Sequence, residues 1–465
     1  ITTSITAATV NGDGNIVVQD KSGGAVPGEA VISGLVGTTQ NRIGSLKVGD
    51  GAHPGMLELD AASFFNSVSI SGGTAAAEAS ILILDASLTA TDGITLNDDG
   101  TESDADSTLQ ITSTAIVTGT IDGSASGEGI IDIDAATVFV NDVGGDVAIA
   151  SLDIDHNATF SGALKATGAM DVAASKVTTI SGDTTIGGEL TVIGDLDFAG
   201  TAAITVNAFM QDGGTTGEVA NINTSTGGVT FVQALGTQVD GTADLLDIFS
   251  AATATKSILQ ADDNMADEIN LVGSATIVLD RTILADQTVF MDSAETVAAD
   301  IPTTAKIFLP SNLKDGEAIY FLSDVTTTAT LATNVTAAAQ DNALYTYTAT
   351  VVDAVDTTGA ADDVAITATA RSATDIATTL STSINDATAL YEASRAAADG
   401  VANDTALVDL MSNMLNSQNG RTPADAATLA KQVAPQTDTI GGSSVATRAM
   451  TGTVQGIVSN RMASL

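Results

Sequence analysis

The sequence predicts a mainly β fold: a right-handed parallel β-helix, followed by a β cap module and a C-terminal α-helical tail. From residue 1 to about residue 300, short apolar segments such as residues 81–84 (ILIL) and 93–96 (GITL) are separated by Gly, Asn, Asp and Ser. β-Branched residues that alternate with polar ones favour strands, and the residues between them favour turns. An acidic triplet in the same region also repeats at the spacing of solenoid rungs.

The acidic triplet is the clearest sign of repetition. Residues 132–134 (DID) recur as residues 153–155 (DID), 153 − 132 = 21 positions later, and as residues 195–197 (DLD), 195 − 153 = 42 positions later. A rung of roughly 20 to 25 residues with three short strands is the unit of a parallel β-helix. The aliphatic residue of each triplet then points into the core, and both carboxylates point outward on one face. The alternative is a coincidence among common residue types.

Near residue 300 the short apolar segments give way to longer ones, and near residue 372 to apolar residues at helical spacing. The sequence therefore predicts three segments: a solenoid at residues 1–300, a β cap at residues 301–372 and a helical tail at residues 373–465. Longer strand-like runs mark the cap, and Ser372 opens the tail. A last helix is expected at residues 424–433. The apolar residues at helical spacing in the tail are Ile376, Leu380, Ile384, Leu390, Leu407, Leu410, Met411 and Met414.

The composition excludes several classes of protein. The 465 residues include 15 Lys and Arg against 57 Asp and Glu, a formal net charge of −42, which excludes binding to the phosphates of nucleic acids. Cys is absent, so disulfides and thiolate metal sites are excluded. The sequence contains no run of about 18 apolar residues, so no transmembrane segment is predicted. With 44% hydrophobic and 3% aromatic residues, the chain is expected to fold around small aliphatic side chains.

Carboxylates without basic neighbours suggest a cation site, and Ca²⁺ is the expected ion. Between Lys47 and Lys165 the sequence contains no other Lys or Arg, so its many Asp and Glu residues lack such partners there. Hard divalent cations take about six to eight oxygen ligands, which an acidic loop or two stacked triplets can supply. A solvated acidic loop that binds nothing is the alternative. The candidate ligands are Asp98, Asp99, Glu102, Asp104, Asp106, Asp132, Asp134, Asp153 and Asp155.

The residues favour assembly or binding over catalysis, so an enzyme is not expected. Carboxylate pairs are too frequent here to identify the acid–base pair of a polysaccharide-cleaving β-helix. The few basic residues of the later solenoid are interpreted as surface residues. Neither His53 nor His156 has a second His or a Cys at ligand spacing, which argues against a zinc site.

The C-terminal part of the sequence carries a resemblance to a known family. The segments concerned are residues 341–345 (DNALY), 348–352 (TATVV), 362–372 (DDVAITATARS), 429–435 (LAKQVAP), 446–449 (ATRA) and 458–465 (VSNRMASL). They resemble the autochaperone region and the linker helix of a bacterial type V autotransporter passenger. The specific resemblance covers the last 465 − 340 = 125 residues, and the rest is similar only in its β-helical pattern.

The resemblance implies a secreted protein at the cell surface, or outside the cell, of a Gram-negative bacterium. It also implies an outer-membrane translocator barrel as the partner during export. Residues 301–372 would be the autochaperone-like cap and residues 373–465 the tail that leads to the barrel. The alternating strands of roughly ten residues that form such a barrel are absent from this sequence.

The expected function is structural: a passenger that self-assembles into a surface layer (S-layer) or a filament, stabilised by cations. Solenoid edges expose backbone that can pair with another copy. An acidic, Cys-free composition rich in Thr, Ala and Gly is typical of surface-layer subunits. The alternative is an adhesin that binds host or environmental ligands, and a less favoured one is a polysaccharide-active enzyme.

Overall fold

The chain is described by a computed structural model and divides into two compact units. The first unit comprises Ile1–Thr276 with Met291–Asp300, and the second comprises Ile277–Phe290 with Ile301–Leu465. The structure describes residues 4–6, 11–20, 28–72, 79–97, 107–200, 202–212, 221–224, 228–233, 237–239, 242–244, 246–251, 256–259, 264–279, 289–292, 298–309, 313–322, 328–352, 363–398 and 423–434.

Short strands dominate the first three hundred residues. They are β1 Asn15–Val18, β2 Glu29–Ile32, β3 Ile43–Val48, β4 Met56–Leu59, β5 Ser63–Ser71, β6 Ser80–Leu84, β7 Leu88–Ala90, β8 Ile94–Asn97, β9 Ser107–Ile111, β10 Ala115–Thr118, β11 Ile121–Gly123, β12 Ile130–Ile133, β13 Thr137–Phe139, β14 Ser151–Ile154, β15 Ala158–Phe160 and β16 Leu164–Ala166. There follow β17 Met170–Val172, β18 Val177–Ile180, β19 Thr184–Val192, β20 Asp195–Phe198, β21 Ile204–Asp212, β22 Asn221–Thr224, β23 Gly228–Phe231, β24 Thr237–Val239, β25 Thr242–Asp244, β26 Leu246–Ala251, β27 Lys256–Leu259, β28 Asn264–Leu271, β29 Thr276–Leu279, β30 Val289–Asp292 and β31 Ala298–Asp300.

Three parallel ladders run along the first unit, so a full rung contributes three short strands. The first face joins β2, β4, β6, β9, β12, β14, β17 and β19. The second face joins β7, β10, β13, β15, β18, β20, β22, β26 and β28. The third face joins β1, β3, β5, β8 and β11 and continues through Val143 to β16 and β19. The predicted parallel β-solenoid is confirmed.

A column of side chains on the second face fills the core with larger residues than the composition predicts. Val117, Phe139, Phe160, Ile180 and Phe198 stack in register and are each at most 1% exposed. The rings of Phe139 and Phe160 are parallel within 5°, with centroids 4.9 Å apart. The rare aromatic residues therefore stack one above another, because the same inward position recurs in each rung.

Polar side chains at the corners hold successive rungs together. The Asn141 side-chain oxygen accepts a hydrogen bond from the Gly119 N–H at 3.0 Å, and the Asn157 oxygen accepts one from the Val177 N–H at 2.9 Å. Gly119 has φ +127°, and a side chain there would meet the Ala90 carbonyl oxygen at 2.1 Å. The Asn side chains thus satisfy backbone N–H groups where the ladders turn, and Gly119 permits the positive φ and the close approach of the preceding rung.

The second unit combines an antiparallel sheet with helices. Its elements after the unit boundary are β32 Lys306–Phe308, β33 Ala318–Leu322, α1 Thr328–Ala338, β34 Tyr345–Val352, β35 Asp363–Ala370, α2 Ala373–Leu380, α3 Ile384–Ala398 and α4 Pro423–Val433. Strand β35 pairs antiparallel with both β33 and β34. Helix α1 packs against β34 and lies within the segment predicted to be all β.

The helical tail agrees with the sequence pattern in part. The Ser372 hydroxyl accepts a hydrogen bond from the Asp375 N–H at the start of α2, and α4 occupies the predicted residues 424–433. Ile376, Leu380 and Leu390 are buried, whereas Ile384 is 54% exposed because it begins α3. The predicted apolar positions 407–414 lie outside the described residues. Within the described part of the chain, no helix is long and apolar enough to cross a bilayer.

Candidate functional site

An acidic face runs along the outside of the first ladder. Alternation places one outward column on the strands themselves and a second column on the residue that follows each strand. In the second column, the N–H groups of Asp85, Asp134 and Asp155 donate to the carbonyls of Leu59, Ile111 and Ile133 in the preceding rungs. The acidic face is defined by Glu58, Asp60, Asp85, Asp132, Asp134, Asp153, Asp155 and Asp171.

Two of the three predicted triplets stack directly. Asp132 lies opposite Asp153 in the register of β12 and β14, and Ile133 lies opposite Ile154 with both side chains buried. The expected ladder of residues 132–134 and 153–155 is therefore present. Whether it holds a metal ion stays a prediction.

The third triplet does not join this ladder, although its separation of twice 21 residues suggested a whole number of rungs. Residues 195–197 belong to β20, which pairs with β18 on the second face. The reason is that rung length varies: Asp171 follows Asp153 after only 171 − 153 = 18 residues and takes the next position of the column. Thr191 takes the position after that. The 42-residue spacing thus does not correspond to two rungs.

Gln110 and Thr112 interrupt the acidic face at its middle rung. The Gln110 amide nitrogen donates to Asp132 Oδ2 at 3.1 Å and to Asp134 Oδ2 at 2.9 Å. The Thr112 hydroxyl donates to Asp85 Oδ1. These neutral donors partly offset the missing Lys and Arg residues, and nothing in the sequence pattern singled them out.

The stacked carboxylates shift one another's protonation. Burial and the charges of Asp134, Asp153 and Asp155 raise the pKa of Asp132 to about 6, while the Gln110 hydrogen bond opposes the rise. Burial, followed by the charge of Asp155, also raises the pKa of Asp153. Like charges one rung apart disfavour simultaneous ionisation. Asp132 therefore keeps its proton at a pH where an isolated carboxylate has lost it.

A second cluster lies at the other end of the acidic face and was missed from the sequence. Carboxylate oxygens of Glu58, Asp60 and Asp85 lie within 4.8 Å of one another. A side-chain hydrogen bond with Glu29 is the largest cause that raises the pKa of Glu58 to about 7. Together with Glu29, these residues come from three rungs whose register spacing, 56 − 29 = 27 and 81 − 56 = 25, differs from the 21-residue repeat. A search for a fixed period could not find them.

The remaining predicted ligands cannot be placed on this face. Asp98, Asp99, Glu102, Asp104 and Asp106 lie outside the described residues. They remain candidates on the sequence pattern alone.

Lys165, the first Lys or Arg after Lys47, makes a contact within the solenoid. Its Nζ donates to the Gly145 carbonyl oxygen at 2.6 Å, which ties the β16 rung to the turn of the preceding rung. His53 lies beside Asp50, with Nδ1 and Oδ1 3.2 Å apart. Both residues thus make local contacts with their own turns and neighbouring rungs.

No family model, no curated protein and no solved structure matches this chain. The fold is accordingly assigned from the strand pairings themselves, and the relation to autotransporter passengers stays a prediction from the C-terminal sequence segments described above. The geometry of the acidic face is the observation from which a function must be argued.

Proposed function

We propose that this chain is a structural cell-surface protein that self-assembles into a layer or filament and is stabilised by divalent cations. The observation that carries the proposal is the row of stacked carboxylates Asp132, Asp153 and Asp171, flanked by Asp134 and Asp155, on one face of a parallel solenoid. A repetitive surface of this kind suits contact with further repetitive surfaces. A self-assembling subunit needs such a surface more than it needs a cleft.

Cations are proposed because the acidic face needs neutralisation. Asp132, Asp134, Asp153 and Asp155 present carboxylate oxygens from adjacent rungs, about 4.8 Å apart along the ladder. Oxygen-rich sets of this kind suit hard divalent cations such as Ca²⁺ better than soft metals. A cation bound there would relieve the repulsion between rungs within one copy, and it could also link acidic faces of two copies.

The proposal places the protein at or outside the surface of a Gram-negative bacterium, as the passenger of an autotransporter-like system. The order of elements supports it: a parallel solenoid precedes the antiparallel strands β33 to β35, and the helices α2 to α4 follow them. Of the segments that resemble the autochaperone region and linker, residues 341–352 and 363–372 lie on or beside β34 and β35, and residues 429–433 lie on the last helix. Residues 446–449 and 458–465 lie outside the described residues. A translocator barrel in the outer membrane would then be the partner during export.

The test is the assembly state of the purified full chain with and without Ca²⁺. Electron microscopy and light scattering should show layers or fibres when Ca²⁺ is added and their loss when a chelator removes it. The double variant Asp134→Asn/Asp155→Asn should need more Ca²⁺ than the wild type. Asp92→Asn/Asp146→Asn removes two exposed carboxylates elsewhere and should behave as the wild type.

Chains that stay monomeric at high concentration in Ca²⁺ and Mg²⁺ would contradict self-assembly. A monomer that binds one member of a glycan or matrix-protein array would instead identify an adhesin. Release of reducing ends from a polysaccharide would identify an enzyme.

A further inference from the structure

Part of the second face of the solenoid, from β10 to β18, has the opposite character to the acidic face, and Asp195 and Asp197 of β20 bound this part. On strands β10, β13, β15 and β18, the outward residues are neutral although the chain carries a net charge of −42. Ile116, Val138, Thr159 and Thr179 form one column in register. The neutral face is defined by Ile116, Val138, Val140, Thr159, Val177 and Thr179.

Large apolar side chains are exposed on this face in neighbouring rungs. The exposed fractions are 51% for Ile116, 37% for Val138, 44% for Val140 and 37% for Val177. A single exposed Val or Ile is ordinary on a protein surface, because there is too little polar surface to cover it. Exposed apolar side chains on adjacent strands, here Ile116 on β10 with Val138 and Val140 at β13, are less common and suit an interaction surface. The β-branched side chains on this face can pack against a partner but carry no charge.

The distribution of charge identifies what can approach this face. Two copies of a chain with net charge −42 repel each other, and the repulsion is strongest where acidic faces meet. Contact through the neutral faces leaves the acidic faces of the two copies outside the contact. A basic partner would be drawn to the acidic face instead. A second copy of this chain is therefore the occupant that the neutral face favours.

We propose that copies of this chain pair through their neutral faces, with the column Ile116–Val138–Thr159 of one copy packed against the same column of the other. The inference rests on the proposed function of self-assembly and names the surface that it uses. The same patch on both copies makes the contact isologous, so residues near the two-fold axis meet their own counterparts.

The size of the face predicts a weak contact. Four strands at about 4.8 Å spacing extend about 14 Å from the first to the last. The area is on the order of a few hundred Å², below the roughly 800 Å² per partner of a standard interface. Pairing should thus become visible at high concentration, or where many copies act together in an array.

The absence of Cys allows a direct test. Val138→Cys places a single thiol on the neutral face, and Asp153→Cys places one at an exposed position of the acidic face. Under mild oxidation at high protein concentration, Val138→Cys should give at least several-fold more disulfide-linked dimer than Asp153→Cys. Asp153→Cys is a stringent control, because it removes a negative charge from the acidic face and so makes close approach of two acidic faces easier.

A second variant tests the same face without a thiol. Val138→Glu places one carboxylate between the neutral side chains of Ile116 and Thr159, so no like charge is stacked against it. Thermal unfolding should stay close to that of the wild type while assembly is lost. Equal cross-linking of the two Cys variants, together with normal assembly of the Glu variant, would contradict pairing through the neutral face. It would not contradict self-assembly through another surface. A wild type that never assembles refutes the proposed function separately, while preferential Val138→Cys dimers would still support pairing.

Discussion

Burial and neighbouring carboxylates raise the pKa of the Asp132 side chain from 3.8 to about 6. Between about pH 4 and pH 6, the folded chain therefore keeps a proton that the unfolded chain has lost. The free energy of unfolding consequently falls as the pH rises across this window. Above it, Asp132 is ionised beside Asp134, Asp153 and Asp155, and its charge opposes folding.

Asp132→Asn should stabilise the protein at alkaline pH. The amide keeps a hydrogen-bond acceptor for Gln110 and removes the repelled charge. Since the side chain is partly exposed, we expect a gain of roughly 1 kcal/mol near pH 8 that vanishes near pH 4. Chemical denaturation in the presence of a chelator measures both values. Asp146→Asn, at an exposed turn, is the control, and an equal gain at both pH values would contradict the argument.

At the scale of the elements, stacking between β13 and β15 carries much of the local stability. Phe139 and Phe160 are each 1% exposed and pack face to face. Phe139→Ala should cost about 3–5 kcal/mol locally, because it removes a buried ring and leaves a cavity. Thr179→Ala, at a partly exposed position of the next ladder strand, should cost far less.

Hydrogen exchange measures how far the loss of stability in Phe139→Ala spreads along the chain. Amides of β13 and β15 should exchange faster in Phe139→Ala, because each rung of a solenoid depends on its neighbours. Amides of β34 and β35 should be unchanged, since they belong to the other compact unit. Uniform acceleration over both units would show that the chain unfolds as one cooperative body instead.

The same elements show what the sequence could predict. Alternation and turn residues identify the strands and the solenoid because those signals are local and repeat in every rung. Helix α1, residues 328–338 (TATLATNVTAA), was missed because its Thr and Val residues favour strands when read alone. Packing of Leu331 and Val335 against the neighbouring sheet outweighs that preference.

The acidic face was predictable only where rung length stays constant. The step of 21 residues from Asp132 to Asp153 revealed one pair, because both triplets fall on the same register. The shorter step to Asp171 and the longer steps around Glu58 break the period, so their places follow only from strand pairing. Gln110 is invisible in the sequence because its role depends on carboxylates 22 and 24 residues away.

At the scale of the whole molecule, the net charge of −42 causes repulsion both between distant carboxylates and between carboxylates on adjacent rungs. Repulsion between distant carboxylates is screened by salt, since the Debye length falls from about 30 Å at 0.01 M to about 10 Å at 0.1 M. Adjacent rungs are only about 4.8 Å apart, well within the Debye length, so salt screens the repulsion between their stacked carboxylates much less. Protons or bound cations must relieve that part of the repulsion.

Ca²⁺ and protons should therefore compete for the acidic face. We expect Ca²⁺ to raise the melting temperature of the full chain near pH 8 by more than NaCl does at equal ionic strength. Near pH 5 the extra rise should shrink, because Glu58 and Asp132, with pKa values of about 7 and about 6, are then largely protonated. Asp134→Asn/Asp155→Asn should also reduce it, whereas Asp92→Asn/Asp146→Asn should not. A rise that is the same at both pH values, or the same in both variants, would place the Ca²⁺ effect elsewhere on the chain.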